Sequence, residues 1–163
     1  MSRQGAPDDG VLQRLEVLYR EQYDSSVRLA RMLIGDRARA EELTQDAFVR
    51  LLPKLGSTEN PGGYLRTVLV NLCRDHVRRE AVARKHAPAP PSDAPPPGLP
   101  ATSSAVWQAL RALPDRQREA LSLRFYADVS TDEIARLLDV RPATVRSLVR
   151  RGLTTLKEVV PHD

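Results

Sequence analysis

Seven of the chain's thirteen prolines (Pro88, Pro90, Pro91, Pro95, Pro96, Pro97 and Pro100) crowd into residues 87–103, mixed with Ala, Ser, Asp and Gly. Proline removes a backbone donor, and the stretch has few groups to bury, so no helix can run through it. An extended or disordered linker is expected there. It divides the 163 residues into two modules, 10–86 and 104–160, on a tether whose geometry the sequence does not set. Hydrophobic residues make up 41% of the chain and aromatics only 4%, which supplies cores of Leu, Val and Ala but few of the β-branched and aromatic runs that strands need. An all-α fold of two small helical domains follows.

In the first module Leu12, Leu15, Leu18, Tyr19 and Tyr23 form the stripe of one expected helix, and Val27, Ala30, Leu33 and Ile34 that of a second, ended by Gly35. Asp36 is placed to cap a third helix, on which Ala40, Leu43, Ala47, Phe48, Leu51 and Leu52 recur at three- and four-residue spacing until Pro53. Asn60 can cap a fourth, with Pro61 at its first position and Tyr64, Leu65, Val68, Leu69, Leu72 and Val77 on its apolar face. Four helices with short connections imply a helical bundle.

The second module opens near Ser103 or Ser104 with a helix carrying Val106, Leu110 and Leu113 and stopped by Pro114. Asp115 is expected to cap the next helix, which carries Ala120, Leu121 and Phe125. Ser130-Thr131-Asp132-Glu133 is a capping box for a helix burying Ile134, Leu137 and Leu138. After a short break Pro142 opens a last helix with Val145, Val149, Leu153, Leu156 and Val160 on its buried face. These last two have the spacing of a helix-turn-helix. From Arg141 to Lys157 five cations (Arg141, Arg146, Arg150, Arg151, Lys157) face no acidic residue, a balance of +5. Arg146, Ser147, Arg150 and Arg151 are expected to point away from Val145 and Val149, as a helix laid in a DNA major groove requires.

Other chemistries are excluded or weakened. Cys73 is the only cysteine, so an intramolecular disulfide and a CxxC metal site are ruled out, and a plain core role is expected for it. His76, His86 and His162 lie far apart, and neither a Gly-rich phosphate loop nor a nucleophile elbow occurs. No catalytic residue, metal, cofactor or small-molecule substrate is expected. The start of the chain is polar and no apolar run reaches membrane-span length, so membrane insertion is not expected and a cytoplasmic location is. The net charge of +4 suits a polyanionic partner.

At these residues the chain resembles the sigma-70 family, in its extracytoplasmic-function branch. LPDRQREALSLRFY from Leu113, STDEIARLL from Ser130 and TVRS from Thr144 resemble the promoter-binding C-terminal domain of that branch. Independently, AEELTQDAFVRLL from Ala40 resembles the helix that docks on the clamp of the polymerase largest subunit, and YLRTVLVNLCRDHVRR from Tyr64 the helix beside the melted minus-ten element. Val70-Asn71 and Arg151-Gly152-Leu153 look most like the sigma-E-type subgroup.

The resemblance implies an alternative sigma factor. It implies polymerase docking through Glu42, Gln45 and Asp46, and minus-ten contacts from Thr67, Asn71, Arg74, Arg78 and Arg79. Asn71 stands at the pocket for a flipped base, where its amide offers donors and an acceptor to a base edge. It implies minus-thirty-five contacts from Arg141, Thr144, Arg146, Ser147, Arg150 and Arg151. The implied partners are core RNA polymerase (the clamp coiled coil and the beta-subunit flap) and promoter DNA, with room for an anti-sigma factor. Asp139 and Arg141 depart from the small or glycine residues common in the family's turn, and Leu148 replaces a frequent basic residue. A helix-turn-helix regulator acting on duplex DNA without polymerase remains the alternative, and it leaves the first module unexplained.

Overall fold

A computed structural model of the chain describes residues 9–84 and 104–159. The linker 87–103 and Val160 lie outside them. Three helices come from the first module: α1 (Asp9–Ile34), α2 (Arg37–Leu51) and α3 (Pro61–Arg84). Four come from the second: α4 (Ser104–Ala112), α5 (Asp115–Leu121), α6 (Thr131–Leu138) and α7 (Pro142–Lys157). No strand occurs among the described residues.

The expected break between Tyr23 and Val27 is absent, so the first module is a three-helix unit rather than a four-helix one. Asp24, Ser25 and Ser26 are weak helix formers, but none is a breaker. The buried row from Leu18 through Leu29, Leu33 and Ile34 rewards one continuous helix. Punctuation elsewhere follows the sequence. Asp36 Oδ1 accepts from the Arg39 N–H at 3.1 Å, and Asn60 Oδ1 from the Gly63 N–H at 3.0 Å. Beyond Leu51 the chain tightens into a 3-10 turn, Leu52–Lys54, which buries Leu55 completely.

In the second module Asp115 is not the cap of α5: Pro114 holds that position, and Asp115, the first helical residue, accepts from Arg118 Nη2 at 2.7 Å. After α5 the helix widens, with Ala127 N–H donating to Ser122 O at 3.1 Å, five residues back. Ser130 Oγ accepts from the Glu133 N–H at 3.2 Å, as the capping box requires. Gly152 is buried because α7 crosses α5 closely; a Cβ there would sit 2.5 Å from Leu121 Cδ1.

The two modules are packed against each other. Met32 of α1 belongs to the cluster formed by Trp107, Leu110, Leu113 and Leu121 of the second module. The last carbonyls of any helix lack intrahelical donors and carry its negative dipole end. Here Arg111 Nη1 donates to Met32 O at 2.8 Å and Arg118 Nε donates to Leu33 O at 3.1 Å. A cation at a partly buried helix C-terminus contributes up to ~2 kcal/mol. Gly35 makes the approach possible: its φ is +82°, and a Cβ on it would lie 2.5 Å from Arg111 Nε. Farther along the interface Arg74 Nη1 donates to Leu137 O at 3.0 Å, and Arg66 faces Glu133 at 3.6 Å.

Gly35→Ala is expected to lower stability by about 1–2 kcal/mol, the cost of a left-handed non-glycine residue, before the clash with Arg111 is added. Urea unfolding followed by Trp107 fluorescence checks this. Gly35 lies in the first module and Trp107 in the second, so an unmoved Trp107 transition would mean the modules are not coupled as described.

Candidate nucleic-acid interface

Helix α7 begins where the sequence places it. Arg141 is extended, with no side-chain cap, and Pro142 opens α7. The turn before it is made by Asp139 in the left-handed region (φ +54°), a conformation that Asp adopts at some cost where glycine would not. Val145 and Gly152 are buried and Val149, Leu153 and Leu156 half-buried, which turns the opposite side to solvent. Arg141, Thr144, Arg146, Arg150 and Arg151 are exposed, and Ser147 is half-buried among them.

These residues form two flanks of one face rather than a single row. At 100° per residue Arg146, Arg150 and Lys157 fall within about 40° of one another, while Arg151 lies about 140° from Arg146. The Arg146 flank borders a groove of about 280 Å³ whose other walls are Arg124, Thr131, Val149, Leu153 and Thr154. Four cations thus converge on one concave surface. Arg124 lies within the widened turn after α5, far from α7 in sequence, and the helical periodicity carries no signal of it; only tertiary packing brings it in. Its ion pair with Asp128 is long, at 3.9 Å. Such a groove fits phosphates along its rim and base edges at its centre.

On α3 the expected minus-ten residues divide. Thr67, Asn71, Arg78 and Arg79 are exposed. The Thr67 hydroxyl donates to Gly63 O at 3.0 Å, and Arg79 Nε donates to Asp75 O at 3.3 Å, so both are partly occupied by their own helix. Arg74 is not on this open face. Its side chain is 12% exposed, bonded to Leu137 O and 3.6 Å from Glu119 Oε2 across the module boundary. It lies only about 20–60° around the helix from Thr67, Asn71 and Arg78, but on the side packed against the second module. Tyr64, the aromatic residue of α3, is half-buried and packed on the core.

The α2 residues Glu42 and Gln45 are exposed and Asp46 half-buried. The acidic character expected of this face is offset by neighbours: Arg39 pairs with Glu42 at 2.9 Å and Arg50 with Asp46 at 3.2 Å. Exposed i,i+3 and i,i+4 pairs of this kind are worth only a few tenths of a kcal/mol, so an incoming cation displaces them cheaply. Beside them Val49 is 68% exposed. The face therefore offers exchangeable carboxylates around an apolar spot.

Two buried groups carry no site chemistry. Burial pushes the Cys73 thiol up to about 12, so it is held as the inert thiol that its core position implies. Burial also raises the Glu119 carboxyl above its ordinary value, outweighing the attraction of Arg74 and Arg118. Among the described residues no group of His, Cys, Asp and Glu is arranged to hold a metal ion, and no helix is long and apolar enough to cross a membrane.

Comparison with known proteins settles the family. The Sigma-70 region 2 model matches residues 18–82 and the Sigma-70 region 4 model residues 103–156. The chain is 30% identical to the RNA polymerase sigma factor CarQ of Myxococcus xanthus, over 81% of this chain and 80% of that protein. The chain belongs to the extracytoplasmic-function branch of the sigma-70 family. It is also 28% identical to the sigma factor BldN of Streptomyces coelicolor over 90% of its own residues, and there it spans only 60% of the relative's length. Sigma factors as a family are not enzymes. In fold the chain is similar to the sigma factor RpoE of Bartonella quintana, solved in complex with the anti-sigma factor NepR: TM-score 0.69 at 24% identity, covering 92% of this chain and 93% of that one.

Glu119 supplies a test of the module boundary in this sigma-70 family member. A carboxyl whose folded pKa lies above its unfolded value of 4.5 stabilises most below pH 4.5, and that contribution is lost as pH rises through the folded value. Glu119→Gln is neutral in both states and lacks this dependence. The melting temperature of the Glu119→Gln variant, minus that of the native chain, is expected to increase from pH 5 to pH 7.5. A difference that shrinks over this range would show that attraction to Arg74 dominates instead.

Proposed function

We propose that this chain is an alternative sigma factor that binds core RNA polymerase and directs it to promoter DNA. The observation that carries the reading is the presence, on one chain and in order, of two family-matched units with complementary exposed faces: Asn71 on α3, and the Arg124, Arg146, Arg150 and Lys157 groove beside α7. A regulator acting alone on duplex DNA has no use for the first of these.

In this reading residues 10–86 dock on the clamp coiled coil through Glu42, Gln45 and Asp46, whose carboxylates exchange their local arginines for the polymerase's cations. The same unit captures an unpaired minus-ten base at Asn71, while Thr67, Arg78 and Arg79 hold the strand. Residues 104–160 read the duplex minus-thirty-five element. Arg146 and Arg150 reach base edges, and Arg124, Arg141, Thr144, Ser147, Arg151 and Lys157 hold backbone on either side. The beta-subunit flap is the second polymerase contact. The proline-rich segment 87–103 spans the distance between elements. An anti-sigma factor is a further partner, as RpoE has in its co-crystal structure. Catalysis stays with the polymerase; the chain works in the cytoplasm and needs no cofactor.

Run-off transcription with purified core enzyme on genomic fragments tests the reading, and discrete transcripts that need this chain are expected. Asn71→Ala is expected to reduce open-complex formation at least about tenfold, the equivalent of one charge-free base-edge contact of about 1.4 kcal/mol, while Tyr64→Phe is tolerated. Arg146→Ala or Arg150→Ala is expected to cost about 1–3 kcal/mol of upstream discrimination. Tight, specific duplex binding by the chain alone, with no effect on the core enzyme, would establish the regulator reading instead.

A further inference from the structure

Between α1, α3 and the widened turn after α5 lies a cleft of about 310 Å³, at the small end of the range for ligand pockets. Its floor is apolar, because Leu29, Leu65 and Leu69 are all buried there. Tyr126 closes one side from the second module, its hydroxyl held by Arg28. Gly62 widens one end, where a Cβ would meet only Asn60 Oδ1, at 4.0 Å.

Three polar groups line the cleft with their bonding capacity open. Ser26 is only 8% exposed, yet its hydroxyl has no hydrogen-bond partner among the described residues. A buried hydroxyl is costly to leave unpaired, so one left so in a cleft points to a partner arriving from outside. Gln22, one turn earlier on the same face of α1, is half-buried and likewise keeps its side-chain amide unbonded among the described residues. Arg66 is 3.6 Å from Glu133, beyond hydrogen-bond reach, so its planar fork can still take a carboxylate. Arg28 and Arg66 against Glu133, two minus one, leave a single positive charge around the cleft.

None of this serves the promoter faces. Asn71 is about 140–180° around α3 from Arg66, Leu69 and Gly62, so the strand-binding side and the cleft look in opposite directions. A leucine floor has no use for a phosphate backbone, and the volume is small for a nucleotide.

We propose that this cleft binds a small organic monocarboxylate with an apolar or aryl body. The carboxylate lies on the Arg66 fork and the body on Leu29, Leu65 and Leu69. Ser26 and Gln22 bond a hydroxyl or carbonyl carried by that body. The ligand touches both modules, since Tyr126 comes from the second, and its binding stabilises the packed chain. The site is separate from the sigma-factor reading and does not depend on it.

Ligand-observed NMR titration of 4-hydroxybenzoate with the full chain tests it. Saturable binding is expected with a Kd on the order of 1 mM, which suits a ligand of about ten non-hydrogen atoms. At ten times that concentration the melting temperature is expected to rise by about 4 °C. Acetate, which has no body to lay on the leucines, and 4-hydroxybenzamide, which has no charge, are each expected to bind at least about tenfold more weakly. Arg66→Gln is expected to weaken 4-hydroxybenzoate binding more than about tenfold and to leave the benzamide unchanged, and Ser26→Ala to weaken both about fivefold. Arg146→Gln, which removes a cation from the α7 groove instead, is expected to change nothing. The proposal is overturned if binding does not saturate, if acetate matches the aryl acid, or if Arg66→Gln or Ser26→Ala leaves the affinity at the wild-type value. An equal loss with Arg146→Gln overturns it too, by showing that the acid follows surface charge alone.

Discussion

The carbonyl end of α1 meets two guanidinium groups that belong to the other half of the chain, and much of the molecule is arranged around that meeting. A helix of this length ends in several carbonyls without donors and a concentrated negative partial charge. Water would satisfy them at no cost. Here Arg111 and Arg118 do so instead, with Gly35 left-handed beneath them and Met32 inserted alongside. Hydrogen bonds from a charged donor are worth roughly 1.5–3 kcal/mol each, enough to hold two small units together yet within reach of a larger partner's binding energy.

Consequences for nucleic-acid binding follow from which faces the packing uses. The packing between the modules covers the end of α1 and one flank of α3, and it leaves α7 outward. The groove of Arg124, Arg146, Arg150 and Lys157 is therefore available in the packed chain, while the α3 face is available only in part. Buried ion pairs such as Arg74 with Glu119 are weak sources of stability, because desolvation offsets most of the attraction. The raised pKa of Glu119 says that it does so here.

Most local punctuation is legible in the residues; the exception is α5, whose cap position falls to Pro114 rather than Asp115. Asp36, Asn60 with Pro61, the Ser130 capping box and Pro142 each start the helix they announce, because a cap is a contact between neighbours three residues apart. The exposed face of α7 was legible for the same reason. What could not be read were contacts set by tertiary packing. Arg111, Arg118 and Arg74 look in sequence like any solvated arginine, and Met32 like any apolar residue near a helix end; only the fold turns them across the boundary. Arg124 joins the groove by the same route. Asp24-Ser25-Ser26 reads as weak helix, yet α1 runs unbroken through it because packing against the core overrides that preference. The neutral balance of α2 was visible in the spacing of Arg39 with Glu42 and Arg50 with Asp46, but only side-chain geometry shows that the pairs form.

The contacts at the end of α1 require that the two halves of the chain be joined in solution without any partner. Small-angle X-ray scattering of the purified monomer measures this with the fewest assumptions. A radius of gyration on the order of 16 Å, with a single-peaked distance distribution, is the expected result. A value well above ~20 Å with two resolved maxima would mean that the halves move independently, and that the arginines at the end of α1 hold nothing.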